Sequence, residues 1–380
     1  MIQFRDLQRQ YEVLRTDINA ALARVLVGAH FIGGDEVGAL ERELAQYVGT
    51  RHCVSCANGT DALNLALMAW EIGPGDAVFV PDFTFFASAE APAYRGATPV
   101  LVDVDAQTFN MDPDKLEHAI QAVLLEGQLV PRVVLTVDLF GLPADYPAIR
   151  AICDTYGLLM LEDAAQGFGG SINGMSACGF GDICTTSFFP AKPLGCYGDG
   201  GAIFTDNDEW ALLMRSYAVH GKGSMKYDNV RIGINSRLDA MQAAILRVKL
   251  VAFVDHELDA VNDVARCYNE GLADTGYGLP VVPKGFKSCW AQYTVCLPQG
   301  TRRSLLQELL AQQGIPTMVY YPKPLSQQPA LEGIARCYDQ NPVTEALCER
   351  VLSLPMHPYL KLEEMSCVIQ AVVEYANLHE

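Results

Sequence analysis

Residues 157–166 read GLLMLEDAAQ, a short apolar run closed by two acids and small residues. An apolar stretch of this length, ended by turn-forming residues, is the pattern of a strand buried on both faces. Upstream lies ADYPAIRAICDTYG (144–157), with apolar residues at helical spacing, and before that RVVLTV (132–137), again strand-like. The same alternation extends outward. AVFVP (77–81), TPVLVDV (98–104) and the CTTSFF stretch (184–189) read as strands, while TDALNLALMAW (60–70) and DPDKLEHAIQAVLL (112–125) read as helices. Strands that alternate with helices predict an α/β fold, a mostly parallel sheet covered by helices on both faces. Ligands of such sheets gather at the carboxyl ends of the strands, where Glu162 and Asp163 stand.

A long helical pattern begins near residue 237 and runs to about 271. Beyond it come the strand candidate AQYTVCL and helix candidates around 302–313, 342–352 and 362–378, the content of a smaller α+β domain. The expected division is a large domain at 1–250, including the N-terminal segment, and a small C-terminal domain at 251–380, with 237–271 as the linking helix.

The bulk properties remove several function classes. Lys and Arg total 27 against 45 Asp and Glu, a net charge of -18, and no basic stripe interrupts it, so nucleic acid is a poor partner. The most apolar helix candidate, LDAMQAAILRVKLVAFV, carries Asp239, Arg247 and Lys249, and MIQFRDLQRQ has charges where a leader needs apolar residues. No membrane partner and a cytoplasmic location are the resulting expectations. Of twelve cysteines only Cys53 and Cys56 form a CxxC pair, without a second pair at zinc spacing, so no metal is expected and the thiols read as small reduced core residues.

Three segments carry candidate chemistry. Asp163 is suited to pairing with a protonated ring nitrogen, and equally to capping a following helix. In TTSFFPAKPLGCYGDGGAIFT (185–205), Lys192 sits between Pro190 and Pro193, which stiffen its backbone, and before glycines that admit a ligand closely. A desolvated lysine there becomes a nucleophile; an exposed loop lysine does nothing. In SCANGTDALNLAL (55–67), the amides of Gly59, Thr60 and Asp61 open a helix and form an anion cup, or Asn58 is a plain N-cap. GFGGSI and GDGGAI fail the last glycine of the dinucleotide fingerprint, which weakens a dehydrogenase reading. A phosphate cup, an acid for a ring nitrogen and a nucleophilic amine together match the needs of pyridoxal phosphate.

Those segments, with PDFTFFASAE (81–90), GINSRLDAMQAAI (233–245), FRDLQRQY (4–11) and LSLPMHPYL (352–360), resemble the DegT/DnrJ/EryC1/StrS sugar aminotransferases nearly end to end. The resemblance implies fold type I of the pyridoxal-phosphate enzymes, with a seven-stranded sheet, and a homodimer with shared active sites. It implies that Lys192 bonds the cofactor and later shuttles a proton, and that Asp163 pairs with the pyridine nitrogen. Gln166 is implied near the phenolic oxygen, Phe85 on the ring face, and Gly59, Thr60 and Ser187 at the phosphate, with Asn235 supplied by the partner subunit. The wording is nearest to enzymes that aminate C3 of a UDP-linked 2-acetamido-3-keto-glucuronic acid for O-antigen lipopolysaccharide, with glutamate as donor. Phe31 in HFIGG (30–34), Arg237, Tyr320 and Tyr321 then fall at the substrate, Arg237 suiting a carboxylate. Tyr320 stands where many relatives have histidine. Amination at C4 of a 4-keto-6-deoxy sugar stays open. So does a sugar dehydratase, although those relatives commonly replace the lysine by histidine. A non-catalytic regulatory protein of the same fold is the alternative from another class.

Overall fold

The computed structural model describes residues 2–225 and 227–377, so the last residue of the expected helix 362–378 lies outside the described residues. Two helices open the chain, α1 (Leu7–Gly28) and α2 (Gly34–Val48). Then come β1 (His52–Cys56), α3 (Gly59–Ala69), β2 (Asp76–Pro81), α4 (Ala87–Tyr94), β3 (Thr98–Val102), α5 (Pro113–Glu126), β4 (Val130–Val137), α6 (Tyr146–Tyr156) and β5 (Leu159–Asp163). Two short strands, β6 (Ser171–Ile172) and β7 (Met175–Ser176), precede β8 (Ile183–Ser187), β9 (Gly201–Thr205) and α7 (Asp208–Tyr217).

Seven strands form one sheet in the order β1-β9-β8-β5-β4-β2-β3. It is parallel from β8 to β3, and β9 runs antiparallel to both of its neighbours. Alternation along β2 shows why both faces are covered: Val78 and Val80 join the core beneath α3 and α4, whereas Ala77 and Phe79 join the core beneath α5 and α6. Asp163, paired with Val137 on one side and Thr185 on the other, therefore ends a central strand at the carboxyl edge.

The expected linking helix begins three residues later than the sequence pattern suggests. Asp239 is extended and bridged to Ile32, and α8 covers Ala240–Ala252. A π turn at Phe253–Glu257 separates it from α9 (Leu258–Leu272), an irregularity that apolar spacing does not reveal. The chain ends with β10 (Phe286–Lys287), β11 (Tyr293–Cys296), α10 (Arg303–Gln312), α11 (Pro342–Arg350), β12 (Val351–Leu354) and α12 (Leu362–Asn377). Strands β11 and β12 pair antiparallel, and α9, α10 and α12 pack a second core around Tyr268, Tyr293, Leu310 and Val372. We propose the division 1–250 and 251–380 on the strength of the second core, although the two parts meet at several places: Ile2 packs into the second core, β10 pairs with β6, and Cys296, Leu325, Leu331, Leu347, Cys348 and Val351 pack into the core beneath α3 and α4.

Strands β1, β9 and β12 went unread in the sequence. HCVSC alternates weakly, GAIFT follows a glycine loop, and VLSL continues a helical pattern without a break. Among the described residues no helix is long and apolar enough to cross a membrane, and no group of three His, Cys, Asp or Glu side chains could hold a metal. All twelve cysteines are free.

Glu162 has a structural task. Fully buried, it accepts hydrogen bonds from the amides of Cys178, Phe180 (2.8 Å) and Gly181 (3.2 Å), holding the turn that leads into β8. Glu162→Ala leaves three amides without an acceptor, and we expect a loss of roughly 3 kcal/mol in urea unfolding.

Candidate active site

At the carboxyl edge of the sheet a cleft of about 690 Å³ is lined by Gly59, Phe85, Asp163, Gln166, Ser187 and Lys192, among others. Each arrives from a different element, so their meeting is a product of the topology.

Asp163 is 6 % exposed and accepts from Ser88 Oγ (3.0 Å) and the Ala165 amide (3.1 Å). No helix follows directly, so the capping alternative falls. Burial pushes its carboxyl above the usual range, against the pull of those two donors and of Lys192. A cationic ring nitrogen is the partner that would restore its charge. Lys192 sits on a strap between Phe188 and Gly200, its amide donating to the Phe189 carbonyl (2.8 Å). Burial lowers its amine from the ordinary lysine value; Asp163 works against that shift and Arg5 adds to it. Acid and amine are thus both drawn toward their neutral forms, a pairing typical of sites that use proton transfer.

Asn58 is indeed an N-cap: its side chain accepts from the Asp61 amide (2.8 Å). That occupies Asp61, which leaves Gly59 and Thr60 to face the cleft. A Cβ on Gly59 would stand 2.8 Å from Ser187 Cβ, and one on Gly201 would stand 2.6 Å from the Asn58 backbone. Glycine at both positions lets α3 begin directly against β8 and β9, with Ser187 beside the open amides. An anion at this cup, a ring against Asp163 and an aldehyde at Lys192 fit pyridoxal phosphate, with all the needed donor types present.

Gln166 is buried and fixed at both ends. Its Oε1 accepts from the Phe140 amide (2.8 Å) and its Nε2 donates to the Tyr321 hydroxyl (3.2 Å). Phe85 is 55 % exposed, so it is not a core aromatic, and its ring lies 6.4 Å from that of Tyr321. Tyr320 and Tyr321 both line the cleft. Burial raises both phenols, which keeps them as neutral hydrogen-bonding groups.

Phe31, Asn235 and Arg237 do not reach this cleft within one chain. Phe31 is exposed, its carbonyl accepting from the Ala240 amide (2.9 Å). Arg237 donates to Asn235 Oδ1 (2.5 Å), and both are exposed. The surface ion pair considered for Arg237 is absent among the described residues.

Sequence reasoning passed over a cluster beneath the strap. Arg5 donates to the Lys192 carbonyl (2.9 Å), while Lys249 donates to the Gly195 carbonyl. Glu257, in the π turn, accepts from Gln10 (2.8 Å) and Tyr359 (2.6 Å). His357 is 2 % exposed, and neither ring nitrogen has a partner among the described residues. Ser88, which supports Asp163, was missed as well. In the sequence each is one polar residue among many, with no spacing to single it out.

Residues 12–373 match the DegT/DnrJ/EryC1/StrS aminotransferase family. The UDP-2-acetamido-2-deoxy-3-oxo-D-glucuronate aminotransferase of Pseudomonas aeruginosa is 44% identical over 98% of this chain and 99% of its own. The pleiotropic regulatory protein of Geobacillus stearothermophilus is 42% identical over 97% of each chain. A crystal structure of a DegT DnrJ EryC1 StrS aminotransferase from Brucella abortus superposes with a TM-score of 0.96 at 47% identity, covering 99% of this chain and 100% of that one. Other solved relatives hold the cofactor as PLP or PMP. The chain belongs to the DegT/DnrJ/EryC1/StrS aminotransferase family and uses pyridoxal phosphate.

Burial lowers His357 to about 4, with the Arg5 charge adding to the shift. Unfolded histidine titrates near 6.5, so the unfolded chain takes up the proton first as pH falls. Stability should therefore decline between about pH 6.5 and pH 4, by roughly 3 kcal/mol across the window. Urea titrations over that range should show the decline reduced in His357→Asn.

Proposed function

We propose that this aminotransferase converts a UDP-linked 2-acetamido-3-keto-hexuronic acid into its 3-amino product, with glutamate as amino donor. The reading rests on the convergence of Lys192, Asp163 and the Gly59 cup in one cleft, together with the 44% identity to the uronate enzyme.

Pyridoxal phosphate, when bound, supplies the electron-accepting ring that makes an α-proton labile and carries the amino group between donor and acceptor. Lys192 would hold it covalently, with Gly59, Thr60 and Ser187 at the phosphate and Asn235 reaching the same phosphate from the partner subunit. Asp163, kept dry and oriented by Ser88, holds the ring nitrogen protonated. Gln166 donates toward the phenolic oxygen from a position locked by Phe140 and Tyr321. Phe85 covers one ring face. Lys192, once free, would be the group that takes the proton from the donor's α-carbon and later returns one to the sugar carbon.

The substrate side would be built from Tyr320, Tyr321, Phe31 and Arg237, the last two presented to the neighbouring subunit's cleft. Their distance from their own cleft supports a homodimer with shared sites, as do exposed Val230 and Ile232 on the same segment. The acidic surface fits a cytoplasmic enzyme of O-antigen precursor synthesis. A purely regulatory role, suggested by the Geobacillus relative's name, leaves the assembled site without a purpose.

Glutamate added to the yellow holoenzyme should bleach its visible band and release 2-oxoglutarate. Lys192→Ala should lower turnover roughly a thousandfold or more, and retention of substantial activity would refute the assignment. Arg237→Met should raise KM for the uronate roughly 10- to 100-fold, the loss of a charge-assisted pair. An unchanged KM, with a preference for a neutral 4-keto-6-deoxy sugar, would favour amination at C4.

A further inference from the structure

The strap that carries Lys192 is held by cations on its underside. Arg5, from the N-terminal segment, donates to the Lys192 carbonyl (2.9 Å) and more weakly to the Ala291 carbonyl (3.4 Å). Lys249, on α8 and 1 % exposed, donates to the carbonyl of Gly195 and lies 5.1 Å from the centre of the Tyr197 ring. Two positive charges thus face two carbonyls of one short segment, and neither has a carboxylate within ion-pair distance among the described residues.

Lys249 is buried and Arg5 half-buried; taking a charge out of water without a close counter-ion is costly, and neutral carbonyls repay only part of that penalty. The one acid facing both cations is Glu257, and its Oε1 is already engaged by Gln10 and Tyr359. The other groups around Arg5 are Cys289, Tyr320 and His357, none of which carries negative charge at neutral pH, the cations Lys192 and Lys249, and Asp6, whose carboxylate is paired with Arg9 (3.3 Å). Lys249, drawn down to about 8 by burial, keeps most of its charge there. A small cavity lined by Arg5, Gln10, Glu257, His357 and Lys192 lies between these elements, with the two unpartnered nitrogens of His357 nearby. Simple packing would be met by apolar side chains at these positions; a charged underside calls for another account.

We propose that Arg5 and Lys249 are positioning residues for Lys192. They grip the Lys192 and Gly195 carbonyls from below, fix the strap against the core, and leave the Arg5 charge standing behind the lysine amine. This inference rests on the reading of Lys192 as the cofactor lysine. The two cations divide the work. Arg5 holds the carbonyl of Lys192 itself, so its charge stands at that residue, whereas Lys249 holds Gly195, three residues further along the strap.

The test uses the enzyme loaded with pyridoxamine 5′-phosphate, in which the lysine amine is free. Lys192 acetylation by trace acetic anhydride is followed by mass spectrometry across pH, and amide hydrogen exchange is read over residues 188–201. Arg5→Met should slow acetylation of Lys192 at neutral pH roughly three- to tenfold, because a nearby unit charge no longer disfavours the ammonium. Arg5→Lys should restore most of that rate. Lys249→Met should leave the rate within about twofold while raising exchange in 188–201 several-fold. A wild-type acetylation profile in Arg5→Met, or wild-type exchange in Lys249→Met, would overturn the proposal. Should Arg5→Met fail to fold by circular dichroism, Arg5→Gln takes its place with the same expected loss. Borohydride reduction of the pyridoxal-phosphate form separates the two readings: a tag on a peptide other than that of Lys192 defeats the lysine assignment, while the exchange result still reports on the clamp.

Discussion

Four of the five parallel strands, β2, β3, β4 and β5, each run out at a buried aspartate: Asp82, Asp103, Asp138 and Asp163. An acid is expensive to bury unless donors or a cation meet it, so each of these positions demands a partner. Asp82 and Asp103 find theirs within the chain, and Asp138 finds them for one oxygen only, its Oδ2 being buried with no partner among the described residues. Asp82 binds Ser326 and Asn341, Asp103 binds the amides of Val343 and Thr344, and Asp138 takes the Tyr146 hydroxyl and the Ala144 amide. The first two thereby stitch the chain around 326–344 onto the carboxyl edge. Asp163 has two donors, and of the four it is the one that lines the open cleft.

That distribution explains what the sequence made legible. The βα alternation around GLLMLEDAAQ was enough for a mostly parallel sheet and for an active edge, because period and strand length are local properties. It also singled out LEDAAQ, with ring pairing and helix capping both open there, although VPD, LVD and TVD look alike in one dimension. The resemblance to a known family added a specific role for Asp163, and the structure brings Asp163, Lys192, Gln166, Gly59 and Ser187 around one cleft.

What stayed hidden has a common physical reason. Arg5 and Lys192 are 187 residues apart in sequence, and Gln10 and Glu257 are 247 apart. Such pairs have no spacing signature, and a buried lysine inside an otherwise amphipathic helix reads as a solvated one. The antiparallel strand β9 was hidden differently. Its glycine-rich approach reads as loop, although Gly201 is there so that the chain can pass the Asn58 backbone.

The π turn at Phe253–Glu257 holds one residue more than a regular helical turn of the same rise. Its effect is a phase shift between α8 and α9. Deleting one residue there would regularise the backbone and rotate everything beyond it by about 100°. Val261, Val264 and Tyr268 would leave the second core together, and Glu257 would swing away from Gln10 and Tyr359. The length of this junction is therefore under tighter constraint than its composition. Families of this fold should tolerate substitutions within the turn far better than a single insertion or deletion.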